Sequence, residues 1–284
     1  MIGPDRLDRV SAGAAVPEQV TAYVRAVAGS KPKLWGACIG YESDGSTVLV
    51  GYPLHAPRDV SAMEEAVDLV LKTPGLQRLT VIGPARPSQA PESATVAEDC
   101  YHALPLPGPP PGPKLRNLLR RAGREVTLER GGRLDDGHSN LIQRYLNERH
   151  FSDGTRHIFR QLPRYLELSP GSLLVSARRA DGRLAAFAVG EFASLSTAFF
   201  MFCFRDPGLA PPGSADLVLS GLLEESRERG QTRMNLGLGV SEGIRFYKRK
   251  WGAEPFLPFV EASWELAPTG VFSRLTALLR RRPQ

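Results

Sequence analysis

The order of hydrophobic patterns between residues 114 and 265 sets the tightest limit on the fold. Two helical patterns lead into three consecutive strand patterns, followed by a helix, a strand, a helix and a last strand. The Asp181-Gly182 pair between the first two of these strands is a strong hairpin signal. Strands embedded between helices in this way predict an α/β (α+β) fold with a mixed sheet flanked by helices.

The rest of the chain divides at a proline-rich segment. Residues 1–83 show the order helix, strand, strand, helix, strand, and the second helix has Asp59 or Ser61 as its predicted N-cap. Prolines in residues 84–113 predict a stiff connection, with one short strand at DCYHALPL. We therefore predict an N-terminal half at 1–83, a connection at 84–113 and a C-terminal domain at 114–284 that ends in a short helix.

Composition and charge exclude several protein classes. Cys38, Cys100 and Cys203 show neither a CxxC pair nor a Cys/His spacing, so no metal site is predicted and a reducing compartment fits best. The N-terminus lacks a basic segment followed by an apolar core, and no run approaches the ~20 apolar residues of a membrane span. These features predict a cytoplasmic protein without an integral membrane segment. The formal net charge of +6 is compatible with an anionic ligand such as a coenzyme, a nucleotide or a tRNA.

Three stretches of the C-terminal domain resemble the GNAT superfamily of acyltransferases, more narrowly its FemAB/FemX-like and DUF2156-like branches, which carry two GNAT-like halves in tandem. These stretches are the helix KLRNLLRRA, the hairpin ADGRLAAFAVGEF, and ESRERGQTRMNLGLG with the following FYKRKWGAEP. The resemblance implies a GNAT-like mixed sheet in this domain and a degenerate GNAT-like half in residues 1–83. It also implies transfer of an acyl or aminoacyl group to an amine.

The resemblance leaves two donors open. Coenzyme A enzymes of the superfamily hold the pyrophosphate on free backbone N–H groups at the start of the helix after the fourth strand. The matching stretch here is APPGSA, residues 210–215, where Gly213 and Ala215 fit the pattern with Ser214 between them, but the two prolines have no N–H to offer. FemX-type enzymes take an aminoacyl group from tRNA instead. Acyl-CoA and aminoacyl-tRNA are therefore both candidate donors, and no permanently bound cofactor is predicted.

The helix EGIRFYKRKWG is where we expect chemistry. Ile244, Tyr247, Lys248 and Trp251 share one face at helical spacing, so this face is predicted to pack on the sheet. A lysine on such a face either extends its amine to solvent or points into a cleft. The resemblance implies that Tyr247 is the acid that protonates the leaving group. It also implies that Lys248 lies near the reacting carbonyl or a donor phosphate.

Further candidate residues lie beside the predicted strands. Glu191 ends one strand and Asp206 follows the next, so each is a candidate base. The alternatives are that Glu191 is a solvent-facing or salt-bridged strand residue and that Asp206 is a turn residue. Arg205 is a candidate anion contact, and Asn235 is predicted to bond either the substrate or the backbone. Lys250 is a solvent-exposed or phosphate-facing cation on the donor side.

Two functional hypotheses follow. The first is an acyltransferase acting on a small-molecule or peptide amine, in which the resemblance implies that a splayed fourth strand, FFMFCFR, supplies a backbone donor to the oxyanion. The second is a catalytically inactive GNAT-like module that binds RNA or an anionic surface, because the helix KLRNLLRRAGR places Arg116 and Arg120 on one face. Simple solvation is the alternative for that face.

The helical region also contains three histidines without a metal spacing, for which packing or surface roles are predicted: His138, His150 and His157.

Overall fold

The computed structural model describes residues 4–266, which form two compact units. The smaller unit contains Ser30–Glu98 and residues 259–266, and the larger contains residues 4–29 and Asp99–Pro258. These divisions fall at other positions than the predicted boundaries at 83/84 and 113/114. The predicted final helix lies outside the described residues.

Nine α-helices and eleven strands are present in the described part of the chain. The helices are α1 (Pro4–Ala12), α2 (Thr21–Ala28), α3 (Val60–Leu71), α4 (Pro113–Glu125), α5 (Asp136–Glu148), α6 (Asp153–Arg160), α7 (Leu162–Leu168), α8 (Ser214–Glu228) and α9 (Glu242–Lys250). The strands are β1 (Lys31–Trp35), β2 (Cys38–Ser43), β3 (Ser46–Val50), β4 (Arg78–Gly83), β5 (Thr95–Pro105), β6 (Val126–Arg130), β7 (Ser172–Arg179), β8 (Leu184–Glu191), β9 (Thr197–Arg205), β10 (Arg233–Leu238) and β11 (Glu254–Glu265).

The smaller unit has a mixed sheet in the order β1-β2-β3-β4-β11. Its β2–β3 hairpin turns at Asp44 and Gly45, whose φ values of 42° and 76° are the left-handed values that a tight two-residue turn requires. Strand β3 pairs in parallel with β4, and α3 is the connection between them. Asp59, rather than Ser61, caps α3, because its carboxylate accepts a hydrogen bond from the N–H of Ala62.

The larger unit has a mixed sheet in the order β5-β10-β9-β8-β7-β6, with apolar clusters on both faces. Side chains alternate along β8: Ala186 and Ala188 belong to the cluster around α8, whereas Phe187 and Val189 belong to the cluster around α5 to α7. The mixed α/β fold class is confirmed. The element order from α5 to β11 is the predicted one.

Local signals account for the boundaries of several elements. Gly182 has a φ of 81° in the predicted hairpin, and Gly230 has a φ of 74° just after α8, as predicted for its end. Pro163 lies at the start of α7 and separates it from α6, as predicted. The connection was predicted to hold only a short strand, but β5 has eleven residues because its second half pairs with β10. Strand β1 was not predicted.

Strands β9 and β10 separate soon after their pairing begins. They are paired in parallel over three residue pairs that end at Phe199 and Asn235, whereas β9 continues to Arg205. Strand β10 turns away at Gly237, whose φ is 77° and whose N–H binds the side-chain oxygen of Asn235. We call the gap between residues 200–205 of β9 and the end of β10 the wedge. The predicted splay of this strand is confirmed.

Candidate functional site

A cavity of about 180 Å³ lies where β9 ends beside the wedge. One wall comes from α5 and the other from the end of β9 and the first turn of α8. The described lining residues are Leu141, Arg144, Tyr145, Glu148, Arg149, Cys203, Arg205, Pro207 and Ala215. Parallel strands that separate at their carboxyl ends leave a crevice in which α/β proteins bind ligands. Residues 200–205 of β9 have no strand partner on the wedge side among the described residues, so backbone groups there are available to a ligand.

Tyr247 ties α9 to the start of α8 next to this cavity. Its hydroxyl donates a hydrogen bond to the carbonyl oxygen of Ala215 at 3.1 Å. Burial, together with the nearby Cys203 and Asp216, raises the pKa of Tyr247 well above its usual value. The phenol is therefore protonated and neutral at physiological pH.

The amine of Lys248 occupies neither predicted position, because it reaches neither solvent nor the cavity. The side chain is buried, and Nζ donates to the carbonyl oxygens of Gly237 and Leu238 at 2.6 and 2.5 Å. Burial lowers the pKa of Lys248 to about 8, although the nearby Asp99 opposes this shift. The amine thus holds the turn at which β10 leaves the wedge.

The same turn is held from its N–H side by Asp99. Its carboxylate accepts hydrogen bonds from the N–H groups of Gly239 and Val240 at 3.1 and 2.8 Å. Burial alone would raise the pKa of Asp99, but these N–H groups lower it. Val240 has a φ of 49°, a strained value for a β-branched residue, which the surrounding bonds maintain.

The structure places Glu191 away from Tyr247 and Lys248. Glu191 pairs with Phe199 at the beginning of β9, six residues from the Arg205 end, which corresponds to roughly 20 Å along a strand. It is fully buried and is therefore not the solvent-facing or salt-bridged residue of the alternative interpretation. Its carboxylate accepts four hydrogen bonds, from the hydroxyls of Tyr165 and Ser169 and from the N–H groups of Phe192 and Ala193.

The glycine turn before α8 is enclosed rather than open. Gly213 has a φ of 95°, and a Cβ built on it would lie 2.7 Å from Cγ of Leu118 in α4. Ser214 is fully buried, and its N–H and hydroxyl both donate to the carbonyl of Pro211. Gly213 is the N-cap of α8. A pyrophosphate at this turn would thus find two prolines without an N–H, the N–H of Ser214 already bonded, and helix α4 packed against the glycine.

A carboxylate of the chain already lies in the first turn of α8. Asp216 accepts a hydrogen bond from Nε1 of Trp251 at 2.9 Å and forms an ion pair with Lys250 at 2.6 Å. Lys250, predicted on the donor side, is therefore partnered by the protein itself. A negative group in this position stabilises a helix N-terminus and repels a second anion.

Arg205 and Asn235 have different environments. Arg205 is exposed at the end of β9 and lines the cavity, and its role as an anion contact stays a prediction. Asn235 is fully buried and bonds the backbone, donating to the carbonyl of Ala15 and accepting from the N–H of Gly237. Of the two roles considered for Asn235, the structure supports the backbone role.

The sequence did not identify the cavity residues that come from α5. Leu141, Arg144, Tyr145 and Glu148 have the i, i+3, i+4, i+7 spacing of one helix face, and that spacing was the available signal. It does not indicate a site by itself, because nothing in the sequence shows that the end of β9 lies opposite α5. The guanidinium of Arg149 lies over the ring of Tyr145 at 4.4 Å.

Asp206, the other candidate base, is part of a turn. It caps the turn after β9 by accepting from the N–H groups of Gly208 and Leu209, and it forms an ion pair with Arg144. Burial alone would raise the pKa of Asp206, but these partners lower it. The carboxylate is thus already bound on several sides.

His138 has a packing role, as predicted. The side chain is buried, with Nδ1 2.6 Å from Asp135 and Nε2 2.8 Å from the hydroxyl of Ser176. Burial lowers the pKa of His138, although Asp135 opposes the shift. Ser176 is itself buried on β7 and has no access to a substrate. The chain Asp135–His138–Ser176 joins α5 to the sheet.

Residues 4–266 contain neither a membrane-spanning helix nor a cluster of metal ligands. None of the helices there has the length and apolar character needed to cross a membrane. No group of three or more His, Cys, Asp or Glu residues there could hold a metal ion.

Comparison with known proteins shows similarity of fold without similarity of sequence. No protein-family profile matches the chain, and no curated protein matches it in sequence. The C-terminal DUF2156 domain of a putative lysylphosphatidylglycerol synthetase from Agrobacterium fabrum superimposes with a TM-score of 0.62 at 15% identity, covering 96% of this chain and 94% of that one. FemX superimposes with a TM-score of 0.62 at 10% identity, covering 99% of this chain and 99% of that one. A GCN5-related N-acetyltransferase from Kribbella flavida superimposes with a TM-score of 0.52 at 15% identity, covering 96% of this chain and 99% of that one.

These similarities extend over both compact units, because they cover nearly the whole chain. The predicted resemblance to the GNAT fold, in its FemX-like and DUF2156-like form, is confirmed at the level of the fold. At identities of 10–15% the activities of these proteins do not transfer to this chain by similarity alone.

Proposed function

We propose that the protein transfers an acyl or aminoacyl group from an activated donor to an amine. The observation that carries the proposal is the wedge between β9 and β10, with a cavity at its open end and a neutral phenol beside it. Unpaired backbone of a splayed strand can stabilise the oxyanion of an acyl transfer. The fold of the chain is similar to that of proteins named as a putative lysylphosphatidylglycerol synthetase and an N-acetyltransferase.

The reaction forms one C–N bond and breaks one bond between the acyl carbon and its carrier. The amine nitrogen attacks the carbonyl carbon, the carbonyl oxygen becomes an oxyanion in the wedge, and the carrier leaves with its oxygen or sulfur. The leaving atom takes up one proton, which Tyr247 is suited to supply because it stays protonated. Its hydroxyl would exchange the carbonyl of Ala215 for the leaving atom.

The enclosed turn before α8 favours an aminoacyl-tRNA over an acyl-CoA as donor. Binding a pyrophosphate there would require displacement of Leu118 and of the Asp216–Lys250 ion pair. A tRNA would instead be held by cations along its backbone. Helix α4, which packs against this turn, exposes five cations that form no ion pair within residues 4–266: Lys114, Arg116, Arg120, Arg121 and Arg124.

A donor screen tests the proposal. The full chain is incubated with bulk aminoacyl-tRNA or with a set of short acyl-CoAs, in each case with a mixture of small amines and amino acids. We expect amine-dependent loss of the ester bond of aminoacyl-tRNA above the rate without protein, and none from acyl-CoA. Loss from acyl-CoA alone would reverse the choice of donor, and no amine-dependent loss from either would refute the proposed activity.

The exposed cations of α4 also favour a second candidate, an inactive module that binds RNA. Binding would then fall with rising salt, and Arg116→Ala with Arg120→Ala would reduce the dependence of log affinity on log salt by roughly 2 units. The control is Arg130→Ala, since Arg130 is already paired with Glu224, Glu225 and Glu228. RNA binding without any transfer would select this candidate over the first.

A further inference from the structure

We infer that the cavity at the end of β9 takes an acceptor that carries both an amine and an anionic group, and that Glu148 removes the proton from that amine. This inference rests on the proposed function, since it names the acceptor of the same transfer. It assigns a substrate class and a base that the sequence did not suggest.

The carboxylate of Glu148 accepts no hydrogen bond from any other described residue. Among the described residues that line the cavity it is the one acid, and its side chain forms no hydrogen bond or ion pair there. The neighbouring carboxylates are all bound: Asp206 by Arg144 and two N–H groups, Asp216 by Trp251 and Lys250. An incoming ammonium group therefore finds an available partner at Glu148.

The opposite charge is supplied by two arginines. Arg205 projects from the end of β9 on the wall facing α5, and Arg149 follows Glu148 at the end of α5. Neither forms an ion pair within residues 4–266, and Arg149 is oriented by its stacking on Tyr145. A guanidinium group binds carboxylate and phosphate oxygens through paired N–H groups. Besides the paired Arg144, the cavity thus offers one negative and two unpaired positive groups to a ligand with both charges.

The remaining lining adds no unpaired charge, because the guanidinium of Arg144 is already paired with Asp206. Cys203 stays a neutral thiol, because burial raises its pKa to about 12, and Leu141 and Ala215 add apolar surface. A cavity of about 180 Å³ is little larger than one of ~150 Å³ that accommodates benzene. It therefore fits a small dipolar group, such as an amino acid or the end of a longer molecule that carries an amine and an acid.

The proton balance of this step is complete. The ammonium group gives one proton to the carboxylate of Glu148 and becomes a nucleophilic amine. As the C–N bond forms, the carrier gains one proton from Tyr247 when its bond to the acyl carbon breaks, and the second proton lost by the nitrogen restores the Tyr247 phenol. The net result is one proton released to solvent, which Glu148 passes on when it returns to its ionised form.

A binding experiment without donor tests this inference. The full chain is titrated by calorimetry with L-alanine, with L-alaninamide, which lacks the anionic group, and with propionate, which lacks the amine. We expect L-alanine to bind at least tenfold more tightly than either analogue. Glu148→Gln should remove the preference for L-alanine over propionate, and Arg205→Gln should remove the preference over L-alaninamide.

The matched control is Glu167→Gln on α7, which changes an exposed glutamate outside the cavity and should leave all three affinities unchanged. Equal affinities for the three compounds, no binding of L-alanine, or an unchanged preference in Glu148→Gln would overturn the inference. Because no donor is present, these outcomes are separate from the donor screen. Transfer to amines that lack an acid would overturn the inference and leave the proposed function intact.

Discussion

Tyr247 and Lys248 are neighbours on α9, yet their polar atoms bind two different elements. The Tyr247 hydroxyl donates to the carbonyl of Ala215 at the start of α8, and the Lys248 amine donates to the carbonyls of Gly237 and Leu238 at the end of β10. Consecutive residues of an α-helix point about 100° apart, so one helix can contact both elements. Helix α9 therefore links the start of α8 to the end of β10.

Replacing Tyr247 by Phe should separate chemistry from binding. The variant loses the proton donor and a single hydrogen bond, so the free energy of unfolding should fall by only about 1 kcal/mol. In a transfer assay kcat should fall by roughly 10²-fold or more, with KM nearly unchanged. A kcat within about twofold of the wild-type value, in a folded variant, would rule out Tyr247 as the acid.

Lys248→Met should destabilise the protein in a pH-dependent manner. It leaves two buried carbonyls without a donor, which should lower the free energy of unfolding by about 3 kcal/mol at pH 7. The pKa of Lys248 in the folded state is about 8, below its ordinary value of 10.5. Between pH 8 and pH 10.5 the amine is therefore more fully protonated in the unfolded chain than in the folded one. Wild-type stability relative to the variant should therefore rise by up to about 3 kcal/mol from pH 8 to pH 10.5.

Urea unfolding of wild type and Lys248→Met between pH 8 and pH 10.5 measures the difference in their free energies of unfolding. Titrating groups that both proteins share contribute equally and cancel in this difference. Parallel curves for wild type and Lys248→Met would show that the pKa of Lys248 is not lowered. A variant of normal stability that has lost transfer activity would instead support the catalytic role implied by the resemblance.

Glu191→Gln should affect stability and not chemistry. Glutamine would keep an oxygen toward the N–H groups of Phe192 and Ala193, but the hydroxyls of Tyr165 and Ser169 would have to rotate to accept from its NH₂, and all four hydrogen bonds would lose the charge of the carboxylate. We expect a loss of about 3 kcal/mol in the free energy of unfolding, with normal transfer by the folded fraction. Normal stability with lost turnover would restore Glu191 as a catalytic base.

Acid should weaken the protein through His138. Its folded-state pKa is below the ordinary 6.5, so as the pH falls through 6.5 the unfolded chain gains a proton that the folded chain does not, and stability is lost. His138→Gln should show a shallower fall in melting temperature between pH 7.5 and 5. His157→Gln, at an exposed histidine of α6, should follow the wild type. Identical slopes for all three would contradict the assignment.

Sequence patterns predicted most elements of the larger unit because their signals are local. The Asp181-Gly182 turn, the proline between α6 and α7 and the glycine after α8 act within a few residues, and each behaves as predicted. The order of elements was enough to indicate the fold.

The candidate site was less predictable because its contacts join distant residues. Glu148 and Arg205 are 57 positions apart and meet only through the packing of α5 on β9. The enclosure of Gly213 depends on Leu118, and the burial of Lys248 depends on the turn after β10. No spacing in the sequence carries this information. The predicted base Glu191 was chosen by its place on a strand, which does not show what surrounds it.

The most direct test of transfer at the wedge is mass-spectrometric detection of the product. Wild-type protein and Tyr247→Phe are incubated with tRNA charged with an isotopically labelled amino acid and with L-alanine as acceptor. The account predicts a labelled amide with wild-type protein, formed roughly 10²-fold more slowly by the variant. Formation of no labelled amide, or its formation at equal rates by both proteins, would contradict it.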